Sequence, residues 1–507
     1  MKTGVWSVLL LGILACVPGV RAQEDALADE GVRQLQAMEA ATRRAVARAQ
    51  PSVVSIFLLE RTEGIANFAV GQNRVSPFLR DQVNDPDSQA FRPNVFGSGI
   101  VVERPGLILT CYHVIRPALQ EGRFEILVRD ASGNKHEARL FAADPRSDLA
   151  TLELVSPPES LPPPIKIGDG SSLFIGQSIL AIGNPYGVAA SDGSTSVSRG
   201  IVSNVRRRPA GSTVPSMNED LTIDSYGTLV QTDARLNMGV SGGAIINIQG
   251  ELVGITMALA AAMGYETPGG FAMPTDALTR RVISTLAEGR EMEYGFLGIE
   301  PGTITARQAE AEGMLPVDGT RVVNIKPFLP AYLAGLKQND IITSINGKPV
   351  KNNNDLVLAV GSLPVGTVVD AEVVRGKSRV QLKLPLAKFP LRGQVYVTNR
   401  RPLWNGIRVD HLSILLRDFS FSDDPFSEMS SGGVVISEVE TNSPAAEKGL
   451  QTRMVITRVN GEPIHWPDEF DKKVAAATGP VRLQIARGEE IELPPPSAPE
   501  APAAEKP

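Results

Sequence analysis

Three short segments decide the fold of this chain: Leu109-Thr110-Cys111-Tyr112-His113-Val114, Ser147-Asp148-Leu149-Ala150 and Gly239-Val240-Ser241-Gly242-Gly243-Ala244. A serine hydroxyl is a poor nucleophile at neutral pH, so it needs a neighbouring base, and that base needs a third group to orient it. The three segments supply one residue of each kind. They therefore predict that Ser241 is a nucleophile, His113 its base and Asp148 the group that holds the base.

The choice of base follows from the small number of histidines. His136 lies in the polar stretch 133–137, where we expect a solvated side chain, and two further histidines lie far along the chain. His113 remains as the base. Asp148 precedes an apolar strand, which places its carboxylate at the rim of a core, although a loop aspartate that only caps a turn is the alternative. The four histidines are His113, His136, His411 and His465.

Glycines surround the predicted nucleophile. Gly239 on one side and Gly242-Gly243 on the other permit a tight backbone turn that side chains would obstruct. In such a turn the amides of Gly239 and Ser241 could point at one spot and form an oxyanion hole. A polar glycine turn without catalytic consequence is the alternative, since short glycine-serine strings are common in loops.

The catalytic region resembles the HtrA/Deg-type serine proteases in five segments, all in the family's order. This resemblance implies a mainly β fold: a chymotrypsin-like double β-barrel with the triad between its halves. It also implies endopeptidase activity on peptide bonds and homo-oligomers, trimers or larger. We expect no metal or organic cofactor, because the sequence contains no His/Cys cluster. The segments are 97–101 with 109–114, 144–150, 181–187, 231–234 leading to Ser241, and 270–274.

The chain departs from the family pattern close to the serine. Val240 stands where the family usually has Asn, and Met238 where it usually has Pro. Leu236 matches an aliphatic position in the specificity pocket, which suggests small or medium apolar residues before the cut. Arg235 is unusual at its position; we expect it to point to solvent, because burying an unpaired guanidinium is costly. The alternative is that it reaches into the pocket and attracts acidic residues.

The chain's ends and composition bound its location and partners. The 507 residues predict about three domains, and the net charge of −6 gives no footprint for nucleic acid. Residues 1–22 resemble a signal peptide cleaved after Ala22, which predicts export, most simply to a periplasm. A loose lipobox ending at Cys16 is the alternative and would add a lipid anchor. Later segments lack the long apolar run of a transmembrane helix.

Cleavage after Ala22 would leave Cys111 as the only cysteine, so an internal disulfide is excluded. We interpret Cys111 as a small buried apolar residue, with a redox switch as the alternative. The expected organisation is a helical segment at 23–50, a protease domain at 51–290 and a disordered Pro/Ala-rich tail at 493–507. Two long polar loops, 60–95 and 206–228, and a closing helix near Asp276 to Ala287 are expected within the protease domain.

The last third contains an internal repeat. Pro330-Ala331 matches Pro444-Ala445, and Asn346-Gly347 matches Asn460-Gly461, always with an offset of 114 residues. A constant offset means two copies of one unit. Each copy resembles a PDZ domain, an α+β fold built on a small, partly open β-barrel, and we place the copies at 291–390 and 396–492.

PDZ domains bind a peptide as an added strand, with loop amides holding its terminal carboxylate. In the first copy Phe296-Leu297-Gly298-Ile299 resembles that loop and strand, although an ordinary apolar strand is the alternative. The second copy is weaker: 405–407 is its candidate loop, and Met454 replaces Asp340 of the first copy. We expect the second unit to bind peptides poorly or to serve in assembly.

The sequence leaves two functions open. The first is an exported endopeptidase that cuts unfolded or damaged proteins and uses PDZ domains to recognise peptide segments or C-termini. The second is a catalytically impaired chaperone or peptide-binding scaffold of the same fold, in which Met238 and Val240 distort the serine loop. For the endopeptidase, the sequence does not distinguish constant activity from activity triggered by peptide binding.

Overall fold

A computed structural model describes residues 18–60, 85, 88, 91, 93–122, 124–156, 161–207, 228–257, 270–418, 426, 429 and 431–495. Residues 1–17 of the predicted signal peptide, most of the two long polar loops and most of the C-terminal tail lie outside these residues. The described chain begins with helix α1, Pro18–Ala49, which starts within the predicted signal peptide and covers residues 23–49 of the expected helical segment 23–50. Its last turns are buried at Ala45 and Ala49, whereas Val32, Leu35 and Met38 are exposed. No helix within the described ranges is long and apolar enough to cross a membrane.

The first barrel is formed by six strands in the order β5-β4-β1-β2-β3-β6, closed by pairing of β5 with β6. Its strands are apolar runs whose side chains are buried in the core, as the implied mainly β fold requires. Helix α2, Tyr112–Glu121, leaves the barrel directly after β3. The strands are β1 Val53–Glu60, β2 Val95–Val101, β3 Leu107–Cys111, β4 Phe124–Arg129, β5 Lys135–Asp144 and β6 Leu149–Leu154.

The second barrel is closed by six strands in the order β10-β11-β12-β9-β8-β7. Helix α3, Ala277–Ala287, follows it, and Asp276 caps this helix by accepting a hydrogen bond from the Thr279 amide at 2.9 Å. The predicted closing helix is thus confirmed. The strands are β7 Ser178–Gly183, β8 Ser196–Arg207, β9 Leu229–Thr232, β10 Ala244–Ile246, β11 Leu252–Met257 and β12 Gly270–Pro274.

Two further units follow the barrels, each with its own core and a sheet of the same strand order. The sequence repeat is matched by a repeat in backbone conformation. Asn346 and Asn460, the first residues of the two Asn-Gly turns, both lie in the left-handed region, with φ of 48° and 50°. The first unit contains β13 Gly295–Phe296, β14 Ile299–Ile304, α4 Ala306–Ala311, β15 Gly319–Ile325, α5 Pro330–Leu333, β16 Ile341–Ile345, β17 Lys348–Pro349, α6 Asn353–Gly361, β18 Val368–Arg375, β19 Ser378–Pro385 and β20 Ala387–Lys388. The second contains β22 Ile407–His411, β23 Val434–Val439, α7 Pro444–Glu447, β24 Val455–Val459, β25 Glu462–Pro463, α8 Pro467–Ala475, β26 Val481–Ile485 and β27 Glu490–Leu493.

The connector between the two repeat units returns to the first barrel. Strand β21, Tyr396–Val397, pairs antiparallel with β5, so the barrel sheet gains a seventh strand from a distant part of the chain. The ring of Tyr396 lies 6.0 Å from that of Tyr112, the first residue of α2. The connector therefore contacts the helix that carries His113.

A buried lysine joins the repeat units at the same connector. The Lys388 side chain is 2% exposed, and its ammonium contacts Glu291 and Asp410 at 2.9 Å and Glu293 at 3.4 Å. Burial lowers the pKa of Lys388, but the carboxylates of Asp410, Glu291 and Glu293 outweigh it and raise the pKa above its usual range. Lys388 is therefore charged, and its charge is compensated by residues from both sides of the junction.

His411, next to Asp410, makes folding sensitive to pH. Burial lowers its pKa from 6.5 to about 4, with Asp410 opposing this and Lys388 and Arg401 reinforcing it. The unfolded chain therefore binds a proton between these pH values that the folded chain refuses. We expect the free energy of unfolding to fall by about 1–3 kcal/mol from this residue as the pH drops from 7 through 4.

Urea unfolding at pH 7 and pH 4.5 checks this expectation. The loss should be smaller in a His411→Gln variant and unchanged in the control His465→Gln, because His465 is exposed. An equal loss in wild type and His411→Gln would contradict it.

Candidate active site

The structure brings His113 and Asp148 together. His113 lies in the first turn of α2, and its Nδ1 is 2.6 Å from Oδ2 of Asp148. The other carboxylate oxygen, Oδ1, accepts a hydrogen bond from the His113 amide at 2.9 Å. The Tyr112 amide donates to the Asp148 carbonyl at 2.8 Å. The carboxylate is thus fixed at both oxygens, which orients the imidazole as the predicted role requires.

Asp148 occupies the turn between β5 and β6 with a left-handed φ of 55°. A non-glycine residue adopts this conformation only where its surroundings hold it there. Tyr294, which directly precedes β13, helps to hold the turn, because its hydroxyl donates to the buried carboxylate of Asp144. The guanidinium of Arg146 lies over the rings of Tyr294 and Phe389, at 4.6 and 3.7 Å from their centroids. Residues next to the first and last strands of the first repeat unit therefore support the Asp148 turn.

Ser241 lies in the turn between β9 and β10 and is 5% exposed. Its carbonyl accepts a hydrogen bond from the Ser98 amide of β2 at 2.8 Å, which ties the turn to the first barrel. A β-carbon at Gly97 would meet both Val114 at 2.6 Å and the Ser241 carbonyl oxygen at 3.3 Å. Ser241 therefore lies beside the segment that carries His113, where the turn of the second barrel contacts the first.

Two polar residues that our sequence reasoning did not single out support the serine loop. The Ser98 hydroxyl donates to the Gly239 carbonyl at 2.9 Å and accepts from the Asn184 amide at 2.8 Å. The Asn184 side chain is fully buried; it donates to the Ser55 hydroxyl at 2.7 Å and accepts from the Ala189 amide at 2.8 Å. The 181–187 segment was recognised by resemblance, but its bridging role depends on strands distant in sequence.

The departures next to Ser241 do not disturb this network. Val240 is buried, and its carbonyl accepts from the Gly243 amide at 2.9 Å and from the Thr256 hydroxyl. The Met238 carbonyl accepts from the Tyr186 amide at 2.7 Å, while the Met238 side chain is 53% exposed. Neither departing side chain is needed to supply a hydrogen bond. The predicted oxyanion hole, the amides of Gly239 and Ser241, stays a prediction.

A substitution at Gly239 tests whether the loop around Ser241 forms the predicted oxyanion hole. The φ of Gly239 is 93°, and a β-carbon there would meet the Asn184 carbonyl oxygen and, at 2.6 Å, the ring of Phe96. Gly239→Ala should shift the loop and misplace its amides, lowering kcat/KM by about 10²–10³. A peptide-hydrolysis assay measures this loss. Gly176→Ala is the control, because Gly176 has a φ of 90° but open space around it; equal losses in both variants would contradict the prediction.

The predicted specificity residues lie on the second barrel. Leu236 is half-buried and packs against β12, so closely that a β-carbon at Gly270 would clash with it. Arg235 is exposed, as expected, and it also lines a cavity of about 140 Å³ together with Val197, Val240 and Thr256. Their roles in substrate choice stay predictions.

Cys111 is fully buried, and its thiol donates to the Thr256 carbonyl at 3.6 Å. Burial, reinforced by Asp148, raises the thiol's pKa well above its ordinary value, so Cys111 is a neutral packing residue. Cys111, His113 and Asp148 have ligand atoms within 4.8 Å of one another, as do Glu293, Asp410 and His411. The first group is explained by the predicted triad, and Lys388 lies between the two carboxylates of the second.

The expectation for His136 was wrong. Its side chain is only 8% exposed, and Nε2 lies 3.0 Å from Oδ2 of Asp130. Asp130 also accepts hydrogen bonds from the amides of Ser132 and Asn134, which fold the β4–β5 turn over it. The surrounding polar sequence suggested solvation, but it instead forms a local buried network.

The predicted peptide loop of the first repeat unit has a left-handed glycine, Gly298, with a φ of 74°. Leu297 and Ile299 are buried in that unit's core, whereas Phe296 is half-buried in a separate apolar cluster and contacts Phe389, with ring centroids 5.6 Å apart. β14 is an edge strand. In the second unit, Gly406 also has a positive φ, 84°, and the residue aligned with Asp340 is Met454, which packs on the core.

Family models agree with this architecture. The model of a trypsin-like peptidase domain matches residues 97–255, and two PDZ domain models match residues 295–386 and 435–487. The fold and site thus define a trypsin-like serine peptidase followed by two PDZ domains.

Curated relatives narrow the class further. The chain is 31% identical over 416 residues to the periplasmic serine endoprotease DegP of Salmonella typhimurium, covering 82% of this chain and 79% of that protein. It is 32% identical over 444 residues to the periplasmic pH-dependent serine endoprotease DegQ of Escherichia coli strain K12, covering 87% and 88%. The solved structure of the HtrA-type protease AlgW with decapeptide is 26% identical, with a TM-score of 0.51, and matches 69% of this chain and 99% of that one. The chain belongs to the HtrA/DegP family of serine endoproteases.

Proposed function

We propose that this chain is an exported, periplasmic serine endopeptidase that cleaves unfolded or damaged proteins with the triad His113, Asp148 and Ser241. The observation that carries the proposal is the double anchoring of the Asp148 carboxylate, on the His113 ring nitrogen at 2.6 Å and on the His113 amide at 2.9 Å. This arrangement directs the protonated Nδ1 at the carboxylate, which leaves Nε2 as the base for a serine hydroxyl.

The reaction divides into two steps. His113 takes the proton of Ser241 as its oxygen attacks the scissile carbonyl, and returns that proton to the leaving amine. The acyl group then resides on Ser241 until water, deprotonated by His113, releases it. Asp148 stabilises the imidazolium in both steps. The amides of Gly239 and Ser241 would hold the negative oxygen of each tetrahedral intermediate.

Further assignments accompany this proposal. The protease domain spans 51–290, after the signal peptide 1–22 and the helical segment 23–50. The PDZ units span 291–390 and 396–492, and the first recognises peptide segments or C-termini. We also propose that the protein assembles as a homo-oligomer. The periplasmic location is supported by the relatives DegP and DegQ, which are named as periplasmic.

Fluorophosphonate labelling tests the proposal, because only an activated serine reacts. We expect residues 23–507 to be labelled at Ser241 and to degrade casein, whereas a Ser241→Ala variant does neither. Peptides that bind the first PDZ unit are added in parallel, so a protease that awaits activation is also detected. Absence of labelling and degradation with and without these peptides would reject the endopeptidase.

A further inference from the structure

The free edge of β14 is where a peptide strand would add to the first PDZ unit. Among the strands that the structure describes, β14 pairs with β15 alone. Gly298 turns its carbonyl toward β15, where it accepts from the Lys326 amide at 2.9 Å. The backbone N–H and C=O groups of successive residues point to opposite edges of a strand. Ile299 and Pro301 therefore present their backbone groups to the free edge. The register shift in this pair leaves its extra residue, Val323, on β15, so the alternation along β14 is intact.

Pro301 removes one of the groups that an added strand needs. In an antiparallel ladder every second residue exchanges an N–H and a C=O with its partner. Ile299 can pair with the last residue of a peptide, and Pro301 would have to pair with the residue two positions before it. Proline has no N–H, so the peptide carbonyl at that point finds no donor on β14.

Asn353 already occupies the Pro301 carbonyl, which is the other backbone group that a peptide strand would need. Its side-chain Nδ2 donates to the Pro301 carbonyl at 3.0 Å, and its backbone amide donates to the Thr303 hydroxyl at 3.2 Å. Asn353 is the first residue of α6, which Asn352 fixes by accepting hydrogen bonds from the amides of Asn354 and Asp355 at 2.9 and 3.1 Å. Helix and strand are therefore bonded directly to each other where the third peptide residue would lie.

We propose that Pro301 and Asn353 close the groove of the first PDZ unit to a longer strand, so that this unit reads only the last two residues of a free polypeptide C-terminus. The inference rests on the proposed peptide-binding role of this unit. The ligand is an apolar C-terminus, because the candidate loop, Leu297-Gly298-Ile299, carries no charged or polar side chain that would recognise a polar one. Protein fragments produced by endoproteolysis carry such new C-termini.

Peptide binding by residues 23–507 carrying Ser241→Ala tests the inference without cleavage. The probes are Ala-Ala-Val and a decapeptide that ends in the same three residues, each labelled with fluorescein at its N-terminus. Fluorescence polarisation measures the dissociation constant of each. We expect the two dissociation constants to agree within about threefold, since residues beyond the second gain no backbone hydrogen bond. The decapeptide amidated at its C-terminus should not bind.

A double variant, Pro301→Ala with Asn353→Ala, should open the groove. It restores an N–H and frees a C=O, so the decapeptide should bind about tenfold more tightly than the tripeptide, at several-fold per hydrogen bond. The Oδ1 atom of Asn353 is buried without a hydrogen-bond partner, so its removal offsets part of the lost contacts. Pro349→Ala is the control, because Pro349 lies exposed in β17, outside the groove.

Each other outcome is decisive. A wild-type decapeptide that binds at least tenfold more tightly than the tripeptide overturns the closed groove but leaves peptide recognition standing. Equal binding of the amidated and free decapeptides overturns recognition of the C-terminus. Binding of neither peptide by a protein whose Ser241 form still degrades casein overturns the receptor and leaves the protease. A double variant without length dependence overturns the role of Pro301 and Asn353.

Discussion

Replacing Asp148 by asparagine is expected to lower kcat about 10⁴-fold at neutral pH while leaving the protein folded. The Asn Oδ1 can still accept the His113 amide hydrogen bond, now 2.9 Å long. The Asn Nδ2 then takes the place of the carboxylate Oδ2, which lies 2.6 Å from the His113 Nδ1 in the wild-type protein. There it donates a hydrogen bond to Nδ1. That donation fixes the proton on Nε2, where it prevents His113 from accepting the proton of Ser241.

Steady-state hydrolysis of a fluorogenic peptide separates this mechanism from damage to the fold. The loss should fall on kcat, with KM little changed, and fluorophosphonate labelling should slow in parallel. Asp276→Asn is a matched control, because Asp276 caps α3 through its Oδ1 and asparagine caps equally well. A variant within tenfold of wild-type kcat would show that Asp148 does not orient the base.

The barrels and the contact between His113 and Asp148 could be predicted, because the sequence signals for both are local. Strand-forming runs, glycine turns and the chain order His113, Asp148, Ser241 are visible in short windows of sequence. The repeat offset likewise fixed both Asn-Gly turns, which have nearly equal φ angles at Asn346 and Asn460. Such features depend on neighbouring residues and not on the final packing.

The supports of the site escaped prediction because each joins distant segments. Asn184 hydrogen-bonds Ser55, 129 residues away, and Tyr294 donates to Asp144, 150 residues away. Strand β21 is only two residues long and pairs with a strand about 250 positions earlier. A single polar residue or a dipeptide carries no periodicity, so its partner emerges only when the barrels and repeat units pack. The prediction for His136 failed for a related reason. Its side chain is buried against Asp130 within the β4–β5 turn, and the polar composition of that turn does not reveal this contact.

Lys388→Met should lower the free energy of unfolding by about 3–5 kcal/mol, the usual cost of removing one partner from a buried ionic cluster. Methionine preserves most of the buried aliphatic stem, so lost packing contributes little. What remains is a set of three carboxylates, Glu291, Glu293 and Asp410, without the ammonium that all three now contact. Mutual repulsion in a partly dehydrated site then favours the unfolded chain.

The pH dependence of urea unfolding identifies this cause. Burial and the neighbouring acids Asp410 and Glu293 raise the pKa of Glu291, whereas Lys388 opposes them. Without Lys388 the pKa of Glu291 should rise further above its value in the unfolded chain, so the deficit of the variant should shrink as the pH falls from 7 to 5. Lys383→Met is the control, since Lys383 and its partner Asp370 are 78% and 67% exposed and such pairs contribute little. A deficit that is equal at both pH values would assign the loss to packing. Recovery at low pH would show that the charge of Lys388 stabilises the junction of the two PDZ units by compensating carboxylates from both of them.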